Sequence, residues 1–421
     1  MRASLVWLHR WTGLVLAGFV LLEGITGSLL AFRHPLEAMV APSLYAEPHG
    51  AQAPLRLGDL AARAEALAPD ARIGYFWVDD RQAVFRMLPR SSSTTPARRA
   101  PLFDHVFLDP WTGEELGRRR DGDLSEGRTN AIPFIYRLHM DLALGAAGVW
   151  ILGVVSLVWT LDSFTGLYLT FPVSASRFLR RWRPAWLVKR PAGVMRTNFD
   201  LHRAGGLWFW PILIVFAWSS VMFDLPSVYE PVMTALFDYR TEVDQLKTMR
   251  LHPNPTPRLG WDQAELVGEQ LMDAEASRQG FRIRRPYGMA YIEDWGVYTY
   301  GVLSDIDIQG HAWTTSLWLD GDSGKLVSVD VPRGQRLGNA IGMWLRALHF
   351  ADLRDSVLYR SFVALFGLVV AMLSVTGVYI WLRKRSARHF SAARGRRVGE
   401  PSEPPDHLRT DAVGTRSSGA A

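Results

Sequence analysis

The stretches Leu8-His9-Arg10-Trp11-Thr12-Gly13-Leu14 and Leu201-His202-Arg203-Ala204-Gly205-Gly206-Leu207 share one pattern, a His-Arg pair with Gly four residues after the His and Leu next, and each opens a long apolar run. Two further matches follow in the same order. Leu108-Asp109-Pro110-Trp111-Thr112-Gly113 corresponds to Leu319-Asp320-Gly321-Asp322-Ser323-Gly324. Leu138-His139, with Thr165-Gly166-Leu167-Tyr168 after it, corresponds to Leu348-His349 with Thr376-Gly377-Val378-Tyr379. Such a recurrence assigns equivalent positions within a single chain. Each unit reads apolar span, polar segment, apolar span, and two units of like orientation imply a pseudo-twofold axis along a membrane normal.

The chain has 421 residues, 48% of them hydrophobic, with 17 Trp, no Cys and a formal charge of +6. Without cysteine there are no disulfides, thiolate metal sites or covalent haem attachments, so a redox or metal centre must use His, Met, Tyr or carboxylates. Four runs are long and apolar enough to cross a hydrocarbon core of about 30 Å: 11–32, 142–171, 206–225 and 359–382. The first is longer than a secretory signal core and ends in Phe32-Arg33-His34-Pro35 without a small-x-small cleavage site, so it reads as an uncleaved anchor.

Basic residues in short loops set the orientation. The 172–201 loop holds Arg177, Arg180, Arg181, Arg183, Lys189, Arg190 and Arg196 against the single acid Asp200, and residues 383–397 are rich in Arg and free of acid. Both basic segments fall on the side of the N-terminus. The reading is therefore a multi-pass protein of a bacterial inner membrane with both termini cytoplasmic. Its positive charge marks topology, and no nucleic-acid partner is expected. The segments 33–138 and 226–348 then face the periplasm. In each, a helix-like stretch (57–67, 261–276) precedes alternating strands such as 73–78, 105–108, 297–302 and 316–319, which predicts two small α+β modules. The rest of the basic tail, 383–421, is expected to be disordered toward its end.

Four of the eleven histidines occupy equivalent places at span ends, His9 and His202 on the cytoplasmic side, His139 and His349 on the periplasmic side. A lone interfacial His is ordinarily a polar side chain reaching headgroups or water. Four at symmetry-related positions point elsewhere, because a twofold axis makes each pair face itself across the bundle. Imidazoles above and below a plane are what low-spin b-type haem needs. Gly13 and Gly206 leave room beside His9 and His202 for a flat macrocycle. His34 is a spare candidate ligand, since its counterpart at the 193-residue offset is Ser227. Among acids within the spans, Glu23 is the deepest; it either carries charge or a proton for a redox centre or makes one interhelical hydrogen bond. Asp162 and Asp224 lie nearer the interfaces and read as structural.

These residues carry a resemblance to the PepSY-associated transmembrane proteins, often called iron-regulated membrane proteins. Its marks are the HRxxGL openings at His9 and His202, the turns at Asp109 and Asp320, the LH pairs at His139 and His349, and the TG pairs ending at Gly27, Gly166 and Gly377. Span three departs from it, with Ser219-Ser220 in place of TG. Within the family the chain is similar to the di-haem ferric-siderophore reductases, of which the ferrioxamine system is the type. That resemblance implies a membrane α-helical fold of four spans in two parallel repeats with two periplasmic PepSY-like domains. It also implies two haems b, a ferric siderophore as substrate docked between the two domains, and oxidoreductase activity. No dinucleotide fingerprint is present, so the electron donor is expected to be separate, a quinol or a cytoplasmic reductase. The competing reading is a haem-free transporter or a peptide-binding, regulatory membrane protein.

Overall fold

The computed structural model describes residues 1–50, 52–90, 102–241, 251–312, 314–334 and 336–398, the side chains of 388–398 excepted. The expected disordered end of the tail, from residue 399, lies outside the described residues. Among the described residues three helices are long and apolar enough to cross a membrane: α1 (Arg2–Leu30), α5 (Ala146–Thr170) and, to Ala387, α12 (Val357–Val398). The third apolar run of the sequence is not one straight helix. It is shared by α7 (Val194–Trp208) and α8 (Trp210–Asp224), bent by 70° at the break between them. The reason is local: Pro211 has no amide hydrogen and occupies the first turn of α8, a position proline favours and one that starts a helix rather than continuing one.

Close packing of the spans depends on small residues, as expected where lipid removes the hydrophobic drive between helices. Helix α1 crosses α12 at Gly24 and Gly367, and a Cβ on Gly24 would stand 2.7 Å from the Gly367 carbonyl oxygen. Ser28 Oγ beside this crossing lies 2.8 Å from the Ala364 carbonyl oxygen.

The segments outside the spans add α2 (Arg33–Val40), α3 (Leu57–Leu67), α4 (Ala131–Asp141), α6 (Phe178–Trp182), α9 (Pro226–Leu236), α10 (Trp261–Gln279) and α11 (Leu337–His349). Their strands are β1 (Ala71–Val78), β2 (Ala83–Pro89), β3 (His105–Leu108), β4 (Glu115–Arg119), β5 (Ile283–Ile292), β6 (Val297–Ser304), β7 (Thr315–Asp320) and β8 (Leu326–Asp330). The two expected modules are not separate. Their strands form one eight-stranded antiparallel sheet in the order β4-β3-β2-β1-β5-β6-β7-β8. The seam pairs Tyr75 with Ala290, Phe76 with Met289 and Trp77 with Gly288. An unpaired β1 or β5 would expose a hydrogen-bonding edge, and pairing them removes that edge from both halves.

One core underlies the whole sheet. Leu60 and Phe76 from the first half and Met272, Met289 and Tyr300 from the second are buried in it, beneath α3 and α10. The helices are tied by a shared cap: the Glu265 carboxylate of α10 accepts from the first amides of α3, Leu57 N at 3.1 Å and Gly58 N at 2.9 Å. The equivalent Asp109 and Asp320 turns both form as read, each with a glycine at positive φ, Gly113 at 71° and Gly324 at 68°. Each Asp accepts backbone amides of its own turn. Glu265→Ala should leave two buried amides unsatisfied and lower the stability of the sheet domain by about 2–4 kcal/mol. The measurement is thermal melting of the sheet signal in the full chain, with Glu265→Gln expected to lose less.

Candidate functional site

The helices bring the four equivalent histidines together in two pairs. His9 on α1 faces His202 on α7 with ring centroids 6.3 Å apart and planes at 55°. His139 on α4 faces His349 on α11 at 6.2 Å and 60°. His139 and His349 are not the first residues of spans, as the hydropathy suggests. Each sits in the last turns of a separate helix preceding a span. Left-handed residues turn the chain between these helices and the spans, Leu142 and Ala143 in the first half, Ala351, Arg354 and Asp355 in the second.

Each imidazole is held at Nδ1. His9 Nδ1 lies 2.9 and 3.0 Å from the two oxygens of Asp162, a carboxylate only 8% exposed that also lies 2.9 Å from the Thr12 hydroxyl. His202 Nδ1 lies 3.0 Å from the Leu373 carbonyl oxygen and 3.2 Å from Thr376 Oγ1. His139 Nδ1 lies 2.8 Å from both Thr26 Oγ1 and Glu23 Oε2. His349 Nδ1 lies 2.7 Å from Ser219 Oγ. The hydroxyl hydrogens of Thr26, Thr376 and Ser219 are committed to carbonyls of their own helices, Leu22, Met372 and Phe216. Their oxygens therefore accept, and the imidazoles donate. Every one of the four rings thus carries its hydrogen on Nδ1 and keeps a lone pair on Nε2. No hydrogen bond engages Nε2 among the described residues.

The TG pairs explain how the rings come so close to neighbouring helices. A Cβ on Gly27 would stand 3.1 Å from His139 Cε1, on Gly166 3.3 Å from His9 Cε1, and on Gly377 3.2 Å from His202 Cε1. In two of them the preceding Thr, Thr26 or Thr376, supplies the acceptor. Span three performs the same task with Ser219, so the departure from TG keeps the hydroxyl and changes only the glycine. Gly13 and Gly206 have no heavy atom within 4 Å of where a Cβ would stand.

Asp162, read from the sequence as structural, is the hydrogen-bond partner of His9. Its position four residues before Gly166, on the helix face that presents that glycine, is the feature that marks it. Glu23, similarly placed four residues before Gly27, binds His139.

The structure pairs His34 with a different residue. Its ring stacks on His311 from the second half at 4.5 Å and 23°. Asp352 accepts from Gly310 N and His311 N at 2.9 and 3.0 Å and lies 3.5 Å from His311 Nδ1. The Tyr287 hydroxyl donates to the His311 carbonyl at 2.9 Å. The Asp352 carboxylate raises the His311 pKa against burial, whereas burial, opposed by Asp79, lowers that of His34.

The donor chemistry is specific. An imidazole nitrogen bonds a first-row metal at about 2.0 Å and lies about 1.1 Å from its ring centre, so two imidazoles on opposite sides of one metal place their centroids about 6.2 Å apart. Both pairs match that spacing. Among the described residues no group of three or more His, Asp or Glu is placed to hold a metal ion, so what each end presents is a pair of imidazoles. A hydrogen bond from the second ring nitrogen is also the usual support of a metal-bound histidine.

Residues 6–384 match the family described as PepSY-associated TM region. An uncharacterized protein of Pseudomonas aeruginosa is 23% identical over 276 residues, 61% of this chain and 64% of that protein, so the match spans a little under two thirds of the relative.

A pH series tests the His311 contact. With its pKa raised in the folded protein, His311 adds stability below the ordinary histidine value of about 6.5, and this increment disappears as pH rises through the raised value. Asp352→Asn should therefore lose about 1 kcal/mol more below pH 6.5 than above the raised value. Melting temperatures of the two proteins at each pH give the difference.

Proposed function

This chain belongs to the PepSY-associated TM region family, and from that premise we propose that it is a di-haem b oxidoreductase of the bacterial inner membrane that reduces ferric siderophore on the periplasmic side. The observation that carries this reading is the pair of facing imidazoles at each end of the bundle, spaced for one metal and each with its Nδ1 hydrogen-bonded. His9 and His202 would hold one haem at the cytoplasmic end, His139 and His349 the other at the periplasmic end. The four Nε2 atoms would be the donors that hold the haems, and Gly13 and Gly206 would leave space at the inner site. When bound, haem supplies a one-electron Fe(III)/Fe(II) couple at each end.

What the residues do follows from their placement. From His9 to Gly27, against which His139 packs, is about 27 Å of α1 at 1.5 Å per residue, close to the thickness of a hydrocarbon core of about 30 Å. The two sites are therefore one membrane apart. Phe216 packs 5.1 Å from His349 and 5.0 Å from Phe366, which packs 6.1 Å from Phe209. These rings make a run of aromatic contacts from His349 into the interval. The basic 172–201 loop and the arginines after 382 support a cytoplasmic N-terminus, an outward direction for the electron, and a separate quinol or cytoplasmic reductase as donor. The two-repeat reading is supported by the paired histidines and by a strand order that mirrors itself about the β1–β5 seam.

A siderophore holds Fe(III) through hard oxygen donors far better than Fe(II), so one electron loosens the metal. The two halves are joined strand to strand at the seam. The substrate would approach the outer pair from the surface around the sheet.

Purified protein should show a reduced-minus-oxidised haem b spectrum with two haems per chain. His139→Ala or His349→Ala should remove one haem and leave the other, and retention of both would refute the assignment. Dithionite-reduced protein should convert a ferric hydroxamate siderophore to ferrous iron trapped by a chromogenic chelator. His349→Ala should slow this at least tenfold, and a wild-type rate no faster than the protein-free control would end the substrate proposal.

A further inference from the structure

The two halves differ at the positions behind the histidines. At the 193-residue offset that relates His9 to His202, Thr26 corresponds to Ser219 and Gly27 to Ser220, and Glu23 corresponds to Phe216. At the 211-residue offset that relates Thr165-Gly166 to Thr376-Gly377, Asp162 corresponds to Leu373. The register is otherwise kept, and the equivalents meet equivalent rings. Asp162 oxygens lie 2.9 and 3.0 Å from His9 Nδ1, whereas Leu373 offers His202 a neutral carbonyl at 3.0 Å. Glu23 Oε2 lies 2.8 Å from His139 Nδ1, whereas Phe216 only packs on the His349 ring at 5.1 Å and a neutral serine hydroxyl takes its Nδ1. Each pair therefore has one imidazole backed by a carboxylate and one backed by a neutral oxygen. Both carboxylates come from the first half.

We propose that Asp162 and Glu23 are positioning residues that lower the reduction potential of the inner and outer haem respectively, each by hydrogen bonding to one axial imidazole of its pair. The inference rests on the haem reading above. A carboxylate accepting the Nδ1 hydrogen draws that proton toward itself and makes Nε2 a stronger donor, and its negative charge favours the oxidised iron, which carries one more positive charge than the reduced. Burial keeps this interaction from being screened by water. Asp162 is 8% exposed and meets the Thr12 hydroxyl besides His9, and Glu23 Oε1 is buried without a hydrogen-bond partner, so the main partner of each carboxylate is its histidine. The chemistry asks for such lowering: Fe(III) in hard oxygen donors is itself hard to reduce, and an electron reaches it readily only from a couple held low.

The test is a potentiometric titration of the full-length protein, with dithionite and ferricyanide as reductant and oxidant, read in the haem absorbance. Asp162→Asn keeps the size and an accepting oxygen but removes the charge. It should retain two haems and raise one midpoint, so that the reduced-to-oxidised ratio of that haem at a fixed ambient potential rises at least tenfold, which for a one-electron couple is about 59 mV. Glu23→Gln should move the other midpoint in the same direction, and Asp162→Glu should restore the first. Should Asp162→Asn lose a haem, Thr376→Asp reads the effect in the opposite sense, by placing a carboxylate behind His202 and lowering the ratio of the same haem. Two retained haems with unmoved midpoints in both neutral variants would overturn the proposal, as would an unmoved midpoint in Thr376→Asp. A wild-type protein that takes up no haem would end the haem reading itself, and that result is distinct from haems that bind and do not shift.

Discussion

Everything at the two ends of this bundle depends on where the imidazole hydrogen resides. A histidine free at both nitrogens rotates and changes tautomer, and two such rings in apposition define no site. Here an acceptor behind every ring takes the Nδ1 hydrogen, which orients the ring and leaves the Nε2 lone pair unengaged among the described residues. The acceptors are carried one residue before the point of closest helix approach, or four residues before it on the same face, so the packing that brings the ring near also aligns its hydrogen bond. Helix geometry thus performs two tasks with one dipeptide.

The sheet imposes the second constraint. The α4 and α11 helices that carry the outer pair both lead from the sheet domain back to a span, so the relative position of His139 and His349 is inherited from the two halves of that domain. Two independent modules on flexible connections would let the two rings drift from their 6.2 Å spacing. A continuous β1–β5 ladder, a common core and the Glu265 cap across the halves remove that freedom. The stacked His34 and His311, with Asp352 beside them, add a polar contact between the start of α2, the loop before β7 and the turn after α11.

Much of this was legible in the sequence because the repeat supplied internal comparison. The pairing of His9 with His202 and of His139 with His349 needed only equivalence and a twofold axis. Helix 57–67 and strand 105–108 were readable from local periodicity, and the Asp109 and Asp320 turns from residue chemistry. What escaped was long-range. Nothing in residues 75–77 or 288–290 announces that those strands meet, since an apolar strand satisfied by a neighbour within its own half looks the same as one satisfied across halves. Asp162 escaped for a different reason: distance from the bilayer centre was a poor guide, and its offset from Gly166 was the informative measure. His34 was judged by symmetry and lacked a counterpart at Ser227. Its partner, His311, is unrelated to it by the repeat.

The bend in the third span is where these constraints conflict and are resolved. Counted as one straight helix from Val194 to Asp224, the segment would run about 46 Å at 1.5 Å per residue, too long for a hydrocarbon core of about 30 Å. Yet it must carry both His202, which meets His9, and Ser219, which holds His349. Helix α1 spans the same two sites from His9 to Thr26 in 17 residues, and His202 to Ser219 is also 17 residues apart. The 17-residue spacing is therefore kept, while the 70° bend at Phe209 turns α7 away from the line of α8. The buried Asp200 accepts from Arg196 and Arg203 of its own helix, both at 2.8 Å, and from Lys189 N of the basic loop at 3.3 Å, which holds that loop against the helix. The break follows from a short span having to start at Pro211 while its histidine remains in register with a straight partner.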